Sequence, residues 1–226
     1  MMLQLIDKKI FFYILIFFLF GTINNKDFKE LKFNNISQIK LFGLDVDDKD
    51  ELLKNLQKFK SNNIFNLNKN EIENLINKNK IIEDFYIFKK YPSEIIIKVK
   101  KTKFLANLNI DGNYYLIGSN KKLISTDSMD MKLPIIFGKP SIHDFFQLYE
   151  NIFLSNLEFT DLEKLFFFPS KRWDLKFKNG NILKLPLTSS ADIFNIYLKI
   201  SKYKEFRKNE VFDMRIMNQL IIKNEL

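Results

Sequence analysis

Tyr91-Pro92-Ser93-Glu94-Ile95-Ile96-Ile97-Lys98-Val99-Lys100 is the stretch on which the fold turns. Ile95, Ile97 and Val99 recur with the period of two that puts successive side chains on opposite faces of a strand. Proline cannot continue a hydrogen-bonded ladder. Tyr91-Pro92 is therefore read as the joint between two strands, Ile81–Tyr91 and Glu94–Lys100. Upstream, Ile39 and Leu41 alternate with Gln38 and Lys40 before Gly43, which predicts a first strand over 36–44. The period then changes: Leu52, Leu53, Leu56 and Phe59 share one helical face behind Asp47 and Asp48. Asn68 followed by Glu71 marks a second helix start, with Ile72, Leu75 and Ile76 as its apolar stripe. Residues 36–100 thus read strand, helix, helix, strand, strand, an α+β unit whose small sheet is covered on one face.

Downstream, residues 101–226 are richer in strands. Phe104, Ala106, Leu108 and Ile110 alternate into an Asp111-Gly112-Asn113 turn, after which Tyr114–Ile117 returns. Ser141-x-x-Asp144 is a capping signature for a helix carrying Phe145, Leu148, Tyr149, Ile152 and Phe153. Trp173, Leu175 and Phe177 alternate, Asn179-Gly180 turns the chain, and Ile182–Leu185 runs back. Ile193, Ile196, Tyr197, Ile200 and Tyr203 mark a further amphipathic helix, and 211–223 is read as one last strand.

At the other end, Ile10–Phe20 is an unbroken apolar run that Gly21, Thr22 and Ile23 extend. Fourteen residues rise only about 21 Å, short of the roughly 30 Å hydrocarbon core, which suits a cleaved signal peptide. No Ala-x-Ala-like cleavage site follows the run. A helix counted from Leu5 to Ile23, with Lys8 and Lys9 snorkelling, comes close to spanning. The preferred reading is an uncleaved signal anchor over 10–23, with a cytoplasmic tail over 1–9 and a linker over 24–35; cleavage is the alternative. Lys8 and Lys9 ahead of the run place the bulk of the chain outside the cytoplasm.

Composition narrows the chemistry. Among 226 residues there is no Cys and one His, His143, so thiolate zinc sites, iron–sulfur ligation, a cysteine nucleophile and a multi-histidine metal centre are excluded. Neither a dinucleotide fingerprint nor a phosphate-binding loop can be written with glycines at 21, 43, 112, 118, 138 and 180. The net charge of +9 invites a nucleic-acid reading, yet only Arg172, Arg207 and Arg215 of the 36 basic residues are arginine, the residue of bidentate phosphate and guanine contacts. Expectation is therefore no metal, no cofactor, no nucleic acid and no small-molecule substrate. One enzymatic alternative stays open, a periplasmic activity on peptidoglycan through a carboxylate pair.

Several strings in order resemble the FtsQ/DivIB family of bacterial cell-division proteins. They are Ile39–Gly43, Asn63-Ile64-Phe65-Asn66-Leu67, Tyr91-Pro92 with Ile95–Val99, Leu133-Pro134-Ile135-Ile136-Phe137-Gly138, Trp173-Asp174-Leu175 with Asn179-Gly180, and Phe212-Asp213-Met214-Arg215. The stretch Lys101–Ala106 departs from the family pattern, keeping only Ala106, and Ile216 stands where relatives often carry an aromatic. The resemblance implies a single-pass type II inner-membrane protein at the division septum, with a POTRA domain and a β domain in the periplasm. It implies no catalysis, but a divisome scaffold that binds FtsB and FtsL, meets other division proteins, and links early division components to septal peptidoglycan synthesis. Binding to FtsB is implied at the last strand, here Arg215, Ile216, Met217, Asn218, Gln219, Leu220, Ile221 and Ile222. An exposed terminal strand offers unpaired N–H and C=O groups to a partner segment. In that reading Arg215 meets a partner carboxylate, Ile216, Leu220 and Ile222 share one face, and Met217 and Ile221 the other. Tyr91 and Pro92 are a second, weaker candidate on the POTRA unit.

Overall fold

The computed structural model describes residues 8–23, 35–203, 208–216 and 219–224. Two compact units emerge, one built from residues up to Ile76 with Phe85–Val99, the other from Asn77–Asp84 with residues from Lys100 onward. Ahead of both sheets, helix α1 (Lys8–Ile23) has 16 residues and exposes most of its apolar side chains, Phe11, Phe17 and Phe20 among them. Among the described residues no helix is long and apolar enough to cross a membrane.

The smaller sheet follows the expected order. β1 (Gln38–Phe42) leads to α2 (Val46–Leu56), a 3-10 turn (Gln57–Ser61), α3 (Lys69–Lys78), β2 (Ile82–Lys90) and β3 (Glu94–Lys101). The sheet order is β1-β3-β2, with β1 parallel to β3 and Ile39 opposite Ile95, Leu41 opposite Ile97. Leu41, Ile95 and Ile97 meet Leu52 and Leu56 of α2, Phe59 of the 3-10 turn and Ile72 and Ile76 of α3 in one buried core. Each such side chain contributes about 1.5–3 kcal/mol by leaving water. The predicted cap of α3 is present in part: Asn68 Oδ1 accepts from the Asn70 N–H at 3.1 Å. The Tyr91–Pro92 peptide joining β2 to β3 is cis.

The larger sheet has nine strands in the order β12-β11-β10-β9-β8-β7-β4-β5-β6. In chain order these are β4 (Phe104–Ile110), β5 (Asn113–Gly118), β6 (Leu123–Thr126), β7 (Ile135–Phe137), α4 (Ile142–Phe153), β8 (Leu162–Phe167), β9 (Trp173–Phe177), β10 (Ile182–Lys184), α5 (Ala191–Ser201), β11 (Glu210–Asp213) and β12 (Ile221–Asn224). Hairpins form β4–β5, β5–β6, β8–β9 and β9–β10, while β4–β7, β7–β8 and β10–β11 are parallel, the last two bridged by α4 and α5. The capping signature is realised: Ser141 Oγ accepts from Asp144 N–H at 3.1 Å, and Asp144 Oδ2 accepts from Ser141 N–H at 3.1 Å.

The segment before β7 is clasped by one buried side chain. Asn107 of β4 donates to the carbonyls of Asp130 and Leu133 and accepts from the Asp130 N–H at 2.8 Å, so every polar atom of its amide is used. The sequence reading missed β6, β7 and β8, and it ran β11 and β12 together as one strand.

Two glycines differ in what they tolerate. Gly43 has φ of +98°, and an added Cβ would lie 1.9 Å from the Val99 carbonyl oxygen; Gly112 has φ of +87° with nothing within 4 Å. Gly43→Ala is expected to lower unfolding stability by well over 1 kcal/mol, and Gly112→Ala by about 1 kcal/mol from backbone strain alone. Urea unfolding of both variants checks this; equal losses would contradict the close approach at Gly43.

Candidate partner-binding edge

Cross-strand registers sort the β8–β12 half of the larger sheet into two faces. One row reads Leu108, Ile136, Leu165, Leu175, Leu183, Phe212 and Ile222 across β4, β7, β8, β9, β10, β11 and β12. It is the inner row: the first six are at most 2% exposed, and Ile222 packs on the same core. The adjacent row points the other way and reads Phe137, Phe166, Asp174, Lys184, Asp213 and Ile221. A third row adds Lys164, Lys176, Ile182, Val211 and Lys223 on this outer face. Toward β12 the outer face therefore carries cations interleaved with two carboxylates.

The two carboxylates sit in opposite environments. Asp213 is clamped by Arg215: its oxygens accept from Arg215 Nε at 2.8 and 3.0 Å, and Oδ1 also accepts the Arg215 backbone N–H at 3.2 Å. These bonds hold the Asp213 carboxyl below its ordinary range and raise the Arg215 guanidinium. Asp174 is only 8% exposed, and its Oδ1 lies 3.5 Å from Arg172 Nε without a hydrogen bond between them. Burial pushes its carboxyl up, against the pull of Arg172, Lys184 and Arg215. The Arg172 guanidinium lies 4.8 Å over the Phe168 ring.

β12 ends the strand order, so its outer edge pairs with no strand among the described residues. It is held on one side only, by four residue pairs with β11. Ile221 faces outward at 44% exposure and Ile222 faces the core. Beside it, Leu187, Ile193, Ile196, Ile200, Ile216 and Leu220 line an apolar groove of about 800 Å³ between α5 and the chain leading into β12.

The expected eight-residue strand from Arg215 to Ile222 is corrected. Only Ile221 and Ile222 lie on β12. The chain leaves β11 at Asp213, whose side chain takes the Arg215 N–H, and turns again where the Gln219 N–H meets the Ile216 carbonyl at 3.1 Å. Side-chain capture of the backbone competes with strand pairing. The two-faced alternation proposed for these residues fails with it: Ile216 is exposed, whereas Leu220 packs on the core with Ile222. Met217 and Asn218 lie outside the described residues. Arg215 already has a carboxylate within the chain. Tyr91 and Pro92 belong to the smaller unit, where Tyr91 stacks on Phe65 with ring centroids 5.0 Å apart. Sequence reasoning overlooked Arg172, Asp174 and Lys184, although the alternation of Trp173, Leu175 and Phe177 already put Asp174 on the opposite face.

Among the described residues no group of His, Asp and Glu is placed to hold a metal ion.

Comparison with known proteins gives three kinds of likeness. A family model described as "POTRA domain, FtsQ-type" matches residues 34–101. The cell division protein FtsQ of Rickettsia bellii is 28% identical over 193 residues, covering 78% of this chain and 67% of that protein. The cell division protein DivIB of Clostridium tetani is 36% identical over 72 residues, and that of Clostridium acetobutylicum 32% over 95. The chain spans only 27% and 38% of the length of these two relatives. The extracytoplasmic domain of DivIB from Geobacillus stearothermophilus aligns with a TM-score of 0.35 and 12% identity, over 45% of this chain and 92% of that one.

The two outer-face carboxylates are expected to titrate on opposite sides of about 3.9. Asp174 takes up its proton first, so its burial penalty is present at neutral pH and lifts as pH falls through its raised pKa. The Asp213 pair contributes stability above the ordinary carboxylate range and loses it only as pH falls through the depressed pKa. Carboxyl-carbon NMR shifts followed with pH report both midpoints; the reverse order would contradict this environment.

Proposed function

Because the chain belongs to the FtsQ/DivIB family of bacterial cell-division proteins, we propose that it is a non-catalytic divisome scaffold whose larger sheet receives FtsB and FtsL homologues by strand addition at β12. The observation that carries this reading is the terminal place of β12 in the nine-strand order. An edge strand offers backbone donors and acceptors that a partner strand satisfies, and alternate side-chain positions give the addition its register. On the outer face the added strand runs beside Ile221 and Lys223, and on the inner face beside Ile222. Lys223 on the outer face favours an acidic residue on the outward side of that partner, and the neighbouring apolar groove takes its flanking hydrophobic side chains.

In the same reading α1 is the membrane-embedded part of a single-pass anchor at the division site. Its 16 residues rise about 24 Å. Lys8 and Lys9 at its start reach to the interface. The sheets that follow then lie in the periplasm, linking early division components to septal wall synthesis.

Ile221→Glu and Ile221→Pro are expected to reduce recovery of FtsB and FtsL homologues with the tagged full chain at least tenfold. The first places a charge in a buried pairing surface; the second removes the N–H that ties β12 to Asp213 of β11, which loosens the strand that receives the partner. Recovery is measured by co-purification from the native cell, with the melting temperature of each variant as the control on folding. Unchanged recovery with a folded variant would place the interface elsewhere.

A further inference from the structure

The smaller sheet has an exposed edge of its own. β2 ends the order β1-β3-β2, and it is the longest strand of either sheet at nine residues. Its side chains alternate: Phe85, Ile87 and Lys89 are half-buried, whereas Asp84, Tyr86, Phe88 and Lys90 stand on the exposed face, Tyr86 at 61% and Phe88 at 49%. From β2 onward that face reads acid, aromatic, aromatic, base.

Backbone direction at the start of β2 is marked by two hydrogen bonds. The Ile81 carbonyl accepts from the Thr102 N–H at 2.8 Å, and Thr102 follows directly on β3, so residue 81 points toward β3. The next carbonyl, Ile82, accepts instead from Asn120 Nδ2 at 3.1 Å. From Asp84 on, the phase is set by β3. The Ser93 carbonyl accepts from the Ser37 N–H, so the odd residues of β3 face β1 and the even ones face β2, and Glu94 and Lys98 share the outer face with Lys90 and Phe88. The peptide groups of Asp84, Tyr86, Phe88 and Lys90 therefore point toward β3, and those of Phe85, Ile87 and Lys89 point toward the edge. Asn120 occupies the edge at Ile82; the exposed-face run that follows, from Asp84 to Lys90, has its midpoint at Ile87.

We infer that β2 pairs antiparallel with β2 of a second copy of this chain about a twofold axis through Ile87. In that register Asp84 of one copy faces Lys90 of the other, and Tyr86 faces Phe88, each pair occurring twice. All four are non-hydrogen-bonded pairs, in which side chains approach most closely, and they flank the hydrogen-bonded pair that residue 87 makes with its copy. Moving the axis to Tyr86 sets Asp84 against Phe88, and moving it to Phe88 sets Tyr86 against Lys90. Only the axis at Ile87 matches charge with opposite charge and ring with ring along the whole run. An interface of this kind is isologous and closes at two copies. Lys90, 3.2 Å from Glu94 on β3, would then stand between two carboxylates, while Lys98, 5.7 Å from the Phe88 ring centroid, covers the aromatic pair from the same face. The inference concerns a strand other than β12 and is independent of how β12 is used.

The test uses the full chain in detergent, its association followed by analytical ultracentrifugation over a concentration series. The wild type is expected to form a reversible dimer. Asp84→Lys and Lys90→Asp should each raise the dissociation constant at least tenfold by opposing like charges. An equimolar mixture of the two variants should recover dimer, since the lysines of one copy then face the aspartates of the other. As the chain has no cysteine, Ile87→Cys supplies a second readout: residues 87 face each other as a hydrogen-bonded pair about 5.5 Å apart, within disulfide reach, and mild oxidation should yield a covalent dimer. A monomeric wild type, a dimer indifferent to either charge reversal, or failure of the mixture to recover association would each overturn the inference.

Discussion

Tyr197 is the pin of the larger sheet. Its ring stacks on Phe177 of β9 at 4.5 Å and meets Phe212 of β11 edge-on at 5.0 Å. Its hydroxyl accepts from Nδ2 of the fully buried Asn181, whose Oδ1 in turn takes the N–H of Glu210 at the start of β11. One helix residue thereby ties α5 to the β9–β10 turn and to the strand that follows the helix. Burial drives the Tyr197 hydroxyl pKa up, so it stays a neutral hydrogen-bonding group there. With α5 held across β9–β11, β11 can return only parallel to β10, and β12 can fold back only onto the outer side of β11. The exposed edge at β12 is a consequence of that crossover.

How much of this was legible in the sequence depends on whether the burial period survived in each strand. β3 and β9 read cleanly because Ile95, Ile97 and Val99, and Trp173, Leu175 and Phe177, are buried at every second position. β8 did not, because a register shift between Leu162 and Lys164 spaces its buried residues, Leu162 and Leu165, three apart. β7 has three residues, too few to show a period. The last strand was read through its own break because apolar residues continue from Val211 to Ile222; the local signal that the chain turns there is the capture of the Arg215 N–H by Asp213.

The candidate site was legible only in part for a related reason. Ile221 and Ile222 fall within the last strand that the sequence predicts, but the charged row beside them belongs to no segment of sequence. Asp174, Lys184 and Asp213 come from three strands, and their alignment is a property of sheet order and register. The same holds for β2, whose pattern of acid, rings and base is visible as a string while its meaning needs the strand's place at the edge. Lysines along edge strands commonly deter pairing. Here the spacing decides what they deter, because a charge that repels one register completes another.

Beyond its role as a surface, β12 has a thermodynamic consequence. Four residue pairs on one side and the packing of Ile222 on the core hold it to the sheet, so its local opening is governed by a small fraction of the stability of the unit behind it. A strand bound on its free side would convert the sheet's rim into interior, and its binding energy would add directly to the ordering of β12. Completion of the fold and occupation by a partner are then two readings of one equilibrium. Unoccupied, β12 opens first while the other eight strands stay paired.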